Sequence, residues 1–291
     1  MSGFAAEWLA QREAADRAAR SALPPVEAVG ANREHDALDV VDLGAGTGAN
    51  LRFLGPWIAR RQRWTLADDD PHLLALARSA TAEWAAAHGI AVEDAGGESA
   101  PGFVLRGPEL ECRVATVAVD LAHVVAPELP RGSLVTASAL LDLVSERWLR
   151  ALAARCAKAK AAVLFALTYD GRIDLEPADD GDARLRALVN RHQRRDKGFG
   201  PALGPSAPAA ALDCFAGEGY VMSSSRSDWR LGPEHAALQR ALVDGWLSAA
   251  REAAPDEADA LDRWQRRRHA DLAAGRLRIV VGHTDVAGYL P

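Results

Sequence analysis

Apolar residues along this chain fall into two rhythms. Short blocks rich in valine, leucine and alanine recur between residues 37 and 171: "ALDVVDLG", "RWTLADDD", "VATVAVDLA", "GSLVTASALLD" and "AAVLFALTYDG". Each is short and dense enough to read as a buried strand. Longer stretches with helical spacing lie between them. "TGANLRFLGPWIARR" follows the first block, and "PHLLALARSATAEWAAAHG" follows the second, with proline at its start and glycine at its stop. "SERWLRALAARCAKAKA" follows the fourth, with serine as its N-cap. A Gly-rich loop and a short hairpin are expected before the third strand, around "GGESAPGFVLRGPELEC". Strands alternating with helices of this length predict βαβ units and a mostly parallel sheet.

Outside this region the rhythm changes. Residues 4 to 20 read as an amphipathic helix with Phe4, Trp8 and Leu9 opening its apolar face, and residues 21 to 37 as a Pro/Gly-punctuated connection. Residues 172 to 207 are polar, then rich in glycine and proline. "APAAALDCFAGEGY" predicts a short helix, "VMSSSRSDWRL" a sixth strand and "RLRIVVGHTDVAGYL" a seventh. Residues 233 to 274 read as helical with a break at "AAPDEA", and Trp246 and Trp264 are the expected core of that block. The expected organisation is one domain over residues 1 to 291: an N-terminal helical cap (1 to 37), a ligand-binding core (38 to 171), an insertion or lid (172 to 207) and a helical insertion before the last strand (233 to 274).

Parallel sheets bind ligands beyond the carboxyl ends of their strands, and the polar signals cluster there. "DLGAGTGAN" places Gly44, Gly46 and Gly48 between the first strand and its helix, where a bare backbone turns sharply and approaches a ligand. Two ligands compete for this loop. "GAGTGA" fits a dinucleotide loop with Ala49 last, and Asp68 lies about twenty residues on, where a ribose acid belongs. A pyrophosphate, however, needs free N–H groups and a positive field, and Asp42 sits two residues before the first glycine. A cationic cofactor without phosphates would welcome that carboxylate. No G-K-[ST] follows the glycines, which excludes P-loop chemistry.

Over roughly residues 38 to 171 the chain resembles the class I S-adenosylmethionine-dependent methyltransferases. Asp42-Leu43-Gly44-Ala45-Gly46-Thr47-Gly48 matches their acid-x-G-x-G-x-G motif. Asp68, ahead of Asp69, Asp70 and Pro71, matches the acid that ends their second strand, and Asp120-Leu121 matches the residues at the end of their third. The resemblance implies a Rossmann-like α/β fold: a seven-stranded, mostly parallel sheet with its last strand reversed, flanked by helices and carrying helical lid insertions. It implies S-adenosylmethionine as cofactor and S-adenosylhomocysteine as product. Asp42 would stand near the methionine moiety, Asp68 would take the ribose hydroxyls with Asp69 beside it, and Asp120 would accept from adenine with Leu121 packing nearby. Gly44, Ala45, Gly46, Gly48, Asn50 and Ser138 would line the same cofactor site. The alternatives are an NAD(P)-dependent oxidoreductase and a non-catalytic cofactor-binding module.

Methyl transfer needs alignment, and a base when the nucleophile carries a proton. The loop after the fourth strand lacks the [DN]-P-P-[YF] motif of amino-group methyltransferases, which points away from adenine, cytosine-amino and glutamine acceptors. It offers Ser138 and Asp142, the latter as a base, with helix capping as its competing role. The fifth strand ends in Thr168, Tyr169 and Asp170, and Tyr169 is a candidate to orient a hydroxyl. His192 and Asp196 are four apart, so on a continuous helix they share a face and form a base with its orienting acid. Asp196, Lys197, Trp8 and Arg12 are expected at the acceptor, with Gly198 and Gly200 as hinges of a lid.

Net charge of −6 argues against a nucleic-acid partner. The basic run at 266 to 268 reads as a solvated helix face. Cys112, Cys156 and Cys214 lack metal-ligand spacing, so no metal is expected. Neither a signal peptide nor a membrane span is legible, and the cytoplasm is the expected compartment. The acidic balance and the helical insertions point to a small-molecule acceptor, with a homodimer surface as the other use of residues 233 to 274.

Overall fold

The strand blocks become a single ten-stranded sheet in this computed structural model, which describes residues 6–20, 37–95, 102–123 and 125–291. The strands are β1 (Leu38–Leu43), β2 (Arg61–Asp68), β3 (Ala91–Asp94), β4 (Gly102–Arg106), β5 (Glu111–Ala118), β6 (Leu134–Ser138), β7 (Ala162–Glu176), β8 (Val221–Arg226), β9 (Trp229–Leu231) and β10 (Arg278–Tyr289). Their order is β3-β4-β5-β2-β1-β6-β7-β10-β8, with β9 paired to β10. The central strands β5, β2, β1, β6 and β7 are parallel, and β10 runs antiparallel to β7 and β8.

The expected count of seven strands is therefore corrected to ten. The hairpin β3–β4 extends the sheet beyond β5, because Phe103, Val104 and Leu105 are buried and need a covered edge. The expected sixth strand breaks at Ser227 and Asp228 into β8 and β9. β7 runs to Glu176, five residues beyond its expected end at Gly171.

Eight helices complete the described fold: α1 (Ala6–Ala19), α2 (Ala49–Leu54), α3 (Pro71–Ala87), α4 (Glu146–Ala159), α5 (Asp182–Gln193), α6 (Ala207–Gly217), α7 (Ala236–Ala253) and α8 (Ala258–Ala273). α2 is far shorter than expected. It stops at Leu54, with Gly55 still helical at φ −48° and ψ −45°, because Pro56 has no N–H to continue the helical bonds. α3 starts as expected, with Asp70 accepting from the His72 and Leu73 N–H groups and Pro71 at its first position.

The break between α7 and α8 falls at 255 to 257, as the sequence suggests. Both helices join one apolar cluster with α5 and the far halves of β7 and β10, and Trp246 and Trp264 are buried in it. The basic run is a clasp rather than a solvated face. Arg266 and Arg267 are exposed, but Arg268 is 1% exposed. Its Nη2 donates to both oxygens of Asp182 at 2.7 Å and its Nη1 to the Pro177 carbonyl at 2.7 Å. Trp264 Nε1 donates to the same carboxylate at 2.9 Å. Arg268→Leu is expected to lower stability by about 2 kcal/mol, because Asp182 loses its charged partner but keeps Trp264. Chemical denaturation checks the loss.

β1 lies between β2 and β6, so the chain leaves it in one direction and returns on its other side. This topological switch point opens a crevice at the carboxyl ends of the strands. The glycine loop sits in it.

Candidate functional site

Gly44, Gly46 and Gly48 have φ values of 66°, 52° and 75°, a left-handed conformation that strains any side chain. The loop folds back on the protein. Gly44 and Ala45 donate N–H to the Ala67 carbonyl at 2.8 and 3.1 Å, and Gly48 donates to Ala45 at 2.9 Å. Gly46 donates to Asp68 Oδ2 at 2.8 Å. Four of the N–H groups that a pyrophosphate would need are thus already taken.

Behind the loop, Asp42 is 1% exposed. Its Oδ1 accepts from Asn50 Nδ2 at 2.8 Å, and the same amide donates to Thr136 Oγ1 at 3.0 Å. Oδ2 has no partner among the described residues, and neither has Asn50 Oδ1. Burial pushes the Asp42 carboxyl up to about 7, against the smaller opposing effects of Asn50 and Arg20. A pyrophosphate here would face a buried carboxylate. A cation would relieve it.

Asp68 closes β2 with both oxygens engaged, Oδ2 to Gly46 and Oδ1 to the Asp70 N–H at 3.0 Å. Burial raises its pKa despite these two bonds. Each oxygen retains a lone pair for a ligand hydroxyl. Asp69 is exposed. Asp120 is half exposed and folds onto its own turn, accepting from the Ala122 N–H at 2.8 Å and meeting His123 Nδ1 at 2.8 Å. Leu121 beside it is buried, and its carbonyl accepts from Trp148 Nε1 at 2.6 Å.

α1 covers the loop. A Cβ built on Gly46 would lie 3.1 Å from Leu9 Cδ1. Glu13 takes Arg52 of α2 in a bidentate pair at 2.6 and 2.9 Å, and Arg52 also donates to the Thr47 carbonyl. Asp16 pairs with Arg12 at 2.9 Å and accepts from Trp229 Nε1 at 2.9 Å. Under this helix lies a crevice lined by Glu13, Asp16, Arg17, Arg20, Ala49, Asn50, Phe53 and Ser138. Arg20 is 3% exposed and lies over the Phe53 ring at 4.1 Å. Its Nε and Nη2 have no partner among the described residues.

This arrangement of sheet and loop recurs in a solved structure. A cyclopropane-fatty-acyl-phospholipid synthase-like protein from Lactobacillus casei aligns over 99% of this chain and 95% of its own, at 12% identity and a TM-score of 0.51. The chain shares that protein's fold. Looser likenesses include the YcgJ protein of Bacillus subtilis (12% identity, 88% of this chain, 93% of the other, TM-score 0.44). The cyclopropane synthase MmaA2 of Mycobacterium tuberculosis is another (11% identity, 87% and 78%, TM-score 0.42). No protein-family model and no curated protein matches the chain.

Within this fold the neighbouring strand ends are irregular. Ala139, after β6, and Leu167, in β7, both have φ of 53°, which is costly for non-glycine residues. Register shifts interrupt the β7–β10 ladder on either side of the pairs Tyr169–His283 and Thr168–Thr284. Such bulges re-aim side chains. Asp285 holds the distortion, accepting from the Leu167 N–H at 2.7 Å and from Ser227 Oγ at 2.5 Å.

Asp142 is buried here, with Oδ1 unpartnered among the described residues, and burial pushes its carboxyl up to about 6. The capping alternative fails, because Ser145 Oγ caps α4 through the Trp148 N–H. Tyr169 adjoins Asp142 through its backbone, and its hydroxyl donates to Asn190 Oδ1 at 2.7 Å. Burial raises the phenol, so it stays protonated at neutral pH.

The pairing of His192 with Asp196 is overturned. α5 ends at Gln193, so the two residues no longer share a helical face. His192 Nε2 meets Glu252 at 3.1 Å instead, while Asp196 accepts from the N–H groups of Gly198 and Gly200. Burial lowers the pKa of His192 and of Lys197, and Lys197 is electrostatically coupled to Asp142. Trp8 packs against the apolar cluster of α5, α7 and α8. Arg12 is held by Asp16 and lies over the Trp229 ring at 5.1 Å.

Sequence reasoning missed Arg20, His283 and Asp285. His283 is 5% exposed, its Nδ1 is unpartnered among the described residues, and burial lowers its pKa to about 3. The signal was present: "HTD" interrupts an otherwise apolar strand.

Proposed function

We propose that this chain transfers a methyl group from S-adenosylmethionine to a small-molecule acceptor. The buried Asp42 carboxylate, its Oδ2 without a partner among the described residues, behind a glycine loop whose N–H groups are already bonded carries this reading. That arrangement suits a cationic, phosphate-free cofactor and works against NAD(P). When bound, the cofactor supplies a methyl carbon activated by its sulfonium. Asp42 would face its cationic end, Asp68 the ribose, and Asp120 with Leu121 the adenine. The shared fold and the three strand-end acids support this, and the intact acids speak against a decayed, non-catalytic module.

At the acceptor, Asp142 is the residue best suited to take a proton. Its free oxygen is buried, yet a pKa near 6 leaves it mostly ionised at neutral pH. Tyr169, fixed by Asn190, would orient the acceptor, with Lys197 and His192 at the rim. Among the described residues no helix is long and apolar enough to cross a membrane. Three buried free cysteines suit a reducing compartment such as the cytoplasm. We extend the proposal to α7 and α8 as a homodimer surface, which sedimentation would test.

Calorimetric titration with S-adenosylhomocysteine tests the cofactor reading. Saturable binding in the micromolar range is expected, with none for NADH or NADPH. No heat at about 500 μM would sink it.

A further inference from the structure

Two buried side chains beside Tyr169 each carry a polar atom without a partner among the described residues: Asp142 Oδ1 and His283 Nδ1. Asp142 is 7% exposed and His283 5%. Asp142 adjoins the Tyr169 backbone, and the His283 ring meets the Tyr169 ring edge-on, with centroids 6.3 Å apart. Arg12 acts electrostatically on both. His283 is fixed in place. Its N–H donates to Asp228 Oδ1 at 3.3 Å, and its carbonyl accepts from the Ser227 N–H at 3.0 Å. Register shifts bracket the pairs Tyr169–His283 and Thr168–Thr284, and bulges of this kind re-aim side chains. Trp229 packs on the imidazole with ring centroids 5.0 Å apart. None of these contacts satisfies Nδ1, and the polar atoms of the two neighbouring rings are spent elsewhere, Tyr169 on Asn190 and Trp229 on Asp16. Burial holds the imidazole neutral, with its pKa lowered to about 3, so it offers a hydrogen bond and no charge. A buried polar atom left unbonded is costly, and a ligand group that bonds it recovers the cost.

We propose that His283 is a second anchor for the acceptor, with Nδ1 bonding an oxygen other than the one held at Asp142. The inference rests on the methyl-transfer reading and adds the class of acceptor: a flat molecule with two oxygen groups on one ring. Two groups are needed because Asp142 lies at the main chain of Tyr169 and His283 at its ring. A flat body suits a site whose free nitrogen sits between the rings of Tyr169 and Trp229. Oxygen suits it better than an ammonium, because Arg12 is the charge that acts most strongly on His283 and repels a cation there. Asp142 thus holds the oxygen that is methylated, and His283 selects the molecules that can present it.

Four probes test this on the full chain saturated with S-adenosylhomocysteine: phenol, and the three dihydroxybenzenes catechol, resorcinol and hydroquinone. Calorimetry is expected to show the best dihydroxybenzene binding about 10-fold more tightly than phenol, the equivalent of one hydrogen bond. His283→Phe should bring that compound down to the level of phenol and leave phenol itself unchanged. His283→Asn, which places a polar atom near the position of Nδ1, should restore part of the preference. Nitrogen NMR of labelled histidine should show the Nδ1 signal of His283 moving with the dihydroxybenzene and not with phenol at equal saturation. Unchanged affinity of H283F for S-adenosylhomocysteine shows that the variant is folded. A wild type that binds none of the dihydroxybenzenes more tightly than phenol overturns the inference, and needs no variant to read. Binding of none of the four probes at about 20 mM overturns it. A preference that survives in H283F, or an Nδ1 signal that does not respond, overturns it too. In all these cases S-adenosylhomocysteine still binds and the cofactor reading stands. A wild type that does not bind S-adenosylhomocysteine removes that reading and this inference together.

Discussion

Asp68→Ala is expected to weaken S-adenosylhomocysteine binding by about 100-fold or more, with the fold retained. The carboxylate does two jobs. Its Oδ2 tethers the Gly46 N–H at 2.8 Å and its Oδ1 the Asp70 N–H at 3.0 Å, which fixes the turn between β2 and α3. Under the proposed cofactor reading, it would also offer the remaining lone pairs to two ribose hydroxyls. Alanine would remove the proposed ribose contact and the tether that holds Gly46 in its left-handed position, so the loop should lose the shape proposed to fit the cofactor. The global fold should tolerate this, because Gly44 and Ala45 still bond to Ala67 and Asp70 still caps α3. Asp68→Asn keeps one acceptor and should fall between wild type and alanine. Asp120→Ala should change affinity by less than about fivefold, since a half-exposed carboxylate engaged with its own turn loses little of its bonding to a ligand. Calorimetry on the three variants gives the order. Affinity retained in Asp68→Ala would show that the ribose assignment is wrong.

The parts of this site that the sequence made legible are those encoded by neighbours. Asp42, Asp68 and Asp120 each follow an apolar block, and a strand that ends in an acid is a local pattern. That β5, β2, β1, β6 and β7 run parallel followed from alternating periods, whereas their order in the sheet did not. What stayed hidden depends on distant partners. Leu167 adopts its left-handed conformation because Asp285, 118 residues away, accepts its N–H. No window around Leu167 carries that information. His192 and Asp196 failed for the opposite reason: a four-residue spacing has meaning only while the helix lasts, and α5 stops between them. Nothing around Arg20 in the sequence marks it as buried, and only its packing over Phe53 beside the crevice makes it a buried charge. Arg268 was misread in the same way, since its partner Asp182 lies 86 residues earlier in the chain.

Asp42→Asn should make the ligand-free protein more stable at pH 8 and cripple its binding of the cofactor. Burial holds the Asp42 carboxyl at about 7 in the folded protein, against a value of 3.8 when it is free. The folded state therefore binds the proton more tightly than the unfolded state does. The stability that this proton confers is fully present below pH 3.8 and is lost as pH rises through about 7. Above pH 7 the folded protein carries an ionised carboxylate whose Oδ2 has no donor among the described residues. A shift of three pKa units corresponds to about 4 kcal/mol, and relaxation around the site reduces this to about 2 kcal/mol as a working expectation. Asparagine removes the titration, so D42N should exceed the wild type in stability at pH 8 and approach it near pH 5. Urea denaturation at the two pH values measures the crossover. The same carboxylate should attract an ammonium group only when ionised, so wild-type affinity for S-adenosylhomocysteine, which keeps its ammonium though not the sulfonium, should rise from pH 6 to pH 8, while D42N binds weakly at both. A site that is destabilising when empty and relieved when filled is the expected signature of a functional carboxylate. A D42N variant no more stable than the wild type at pH 8, relative to pH 5, would mean that Asp42 is already neutralised in the ligand-free protein.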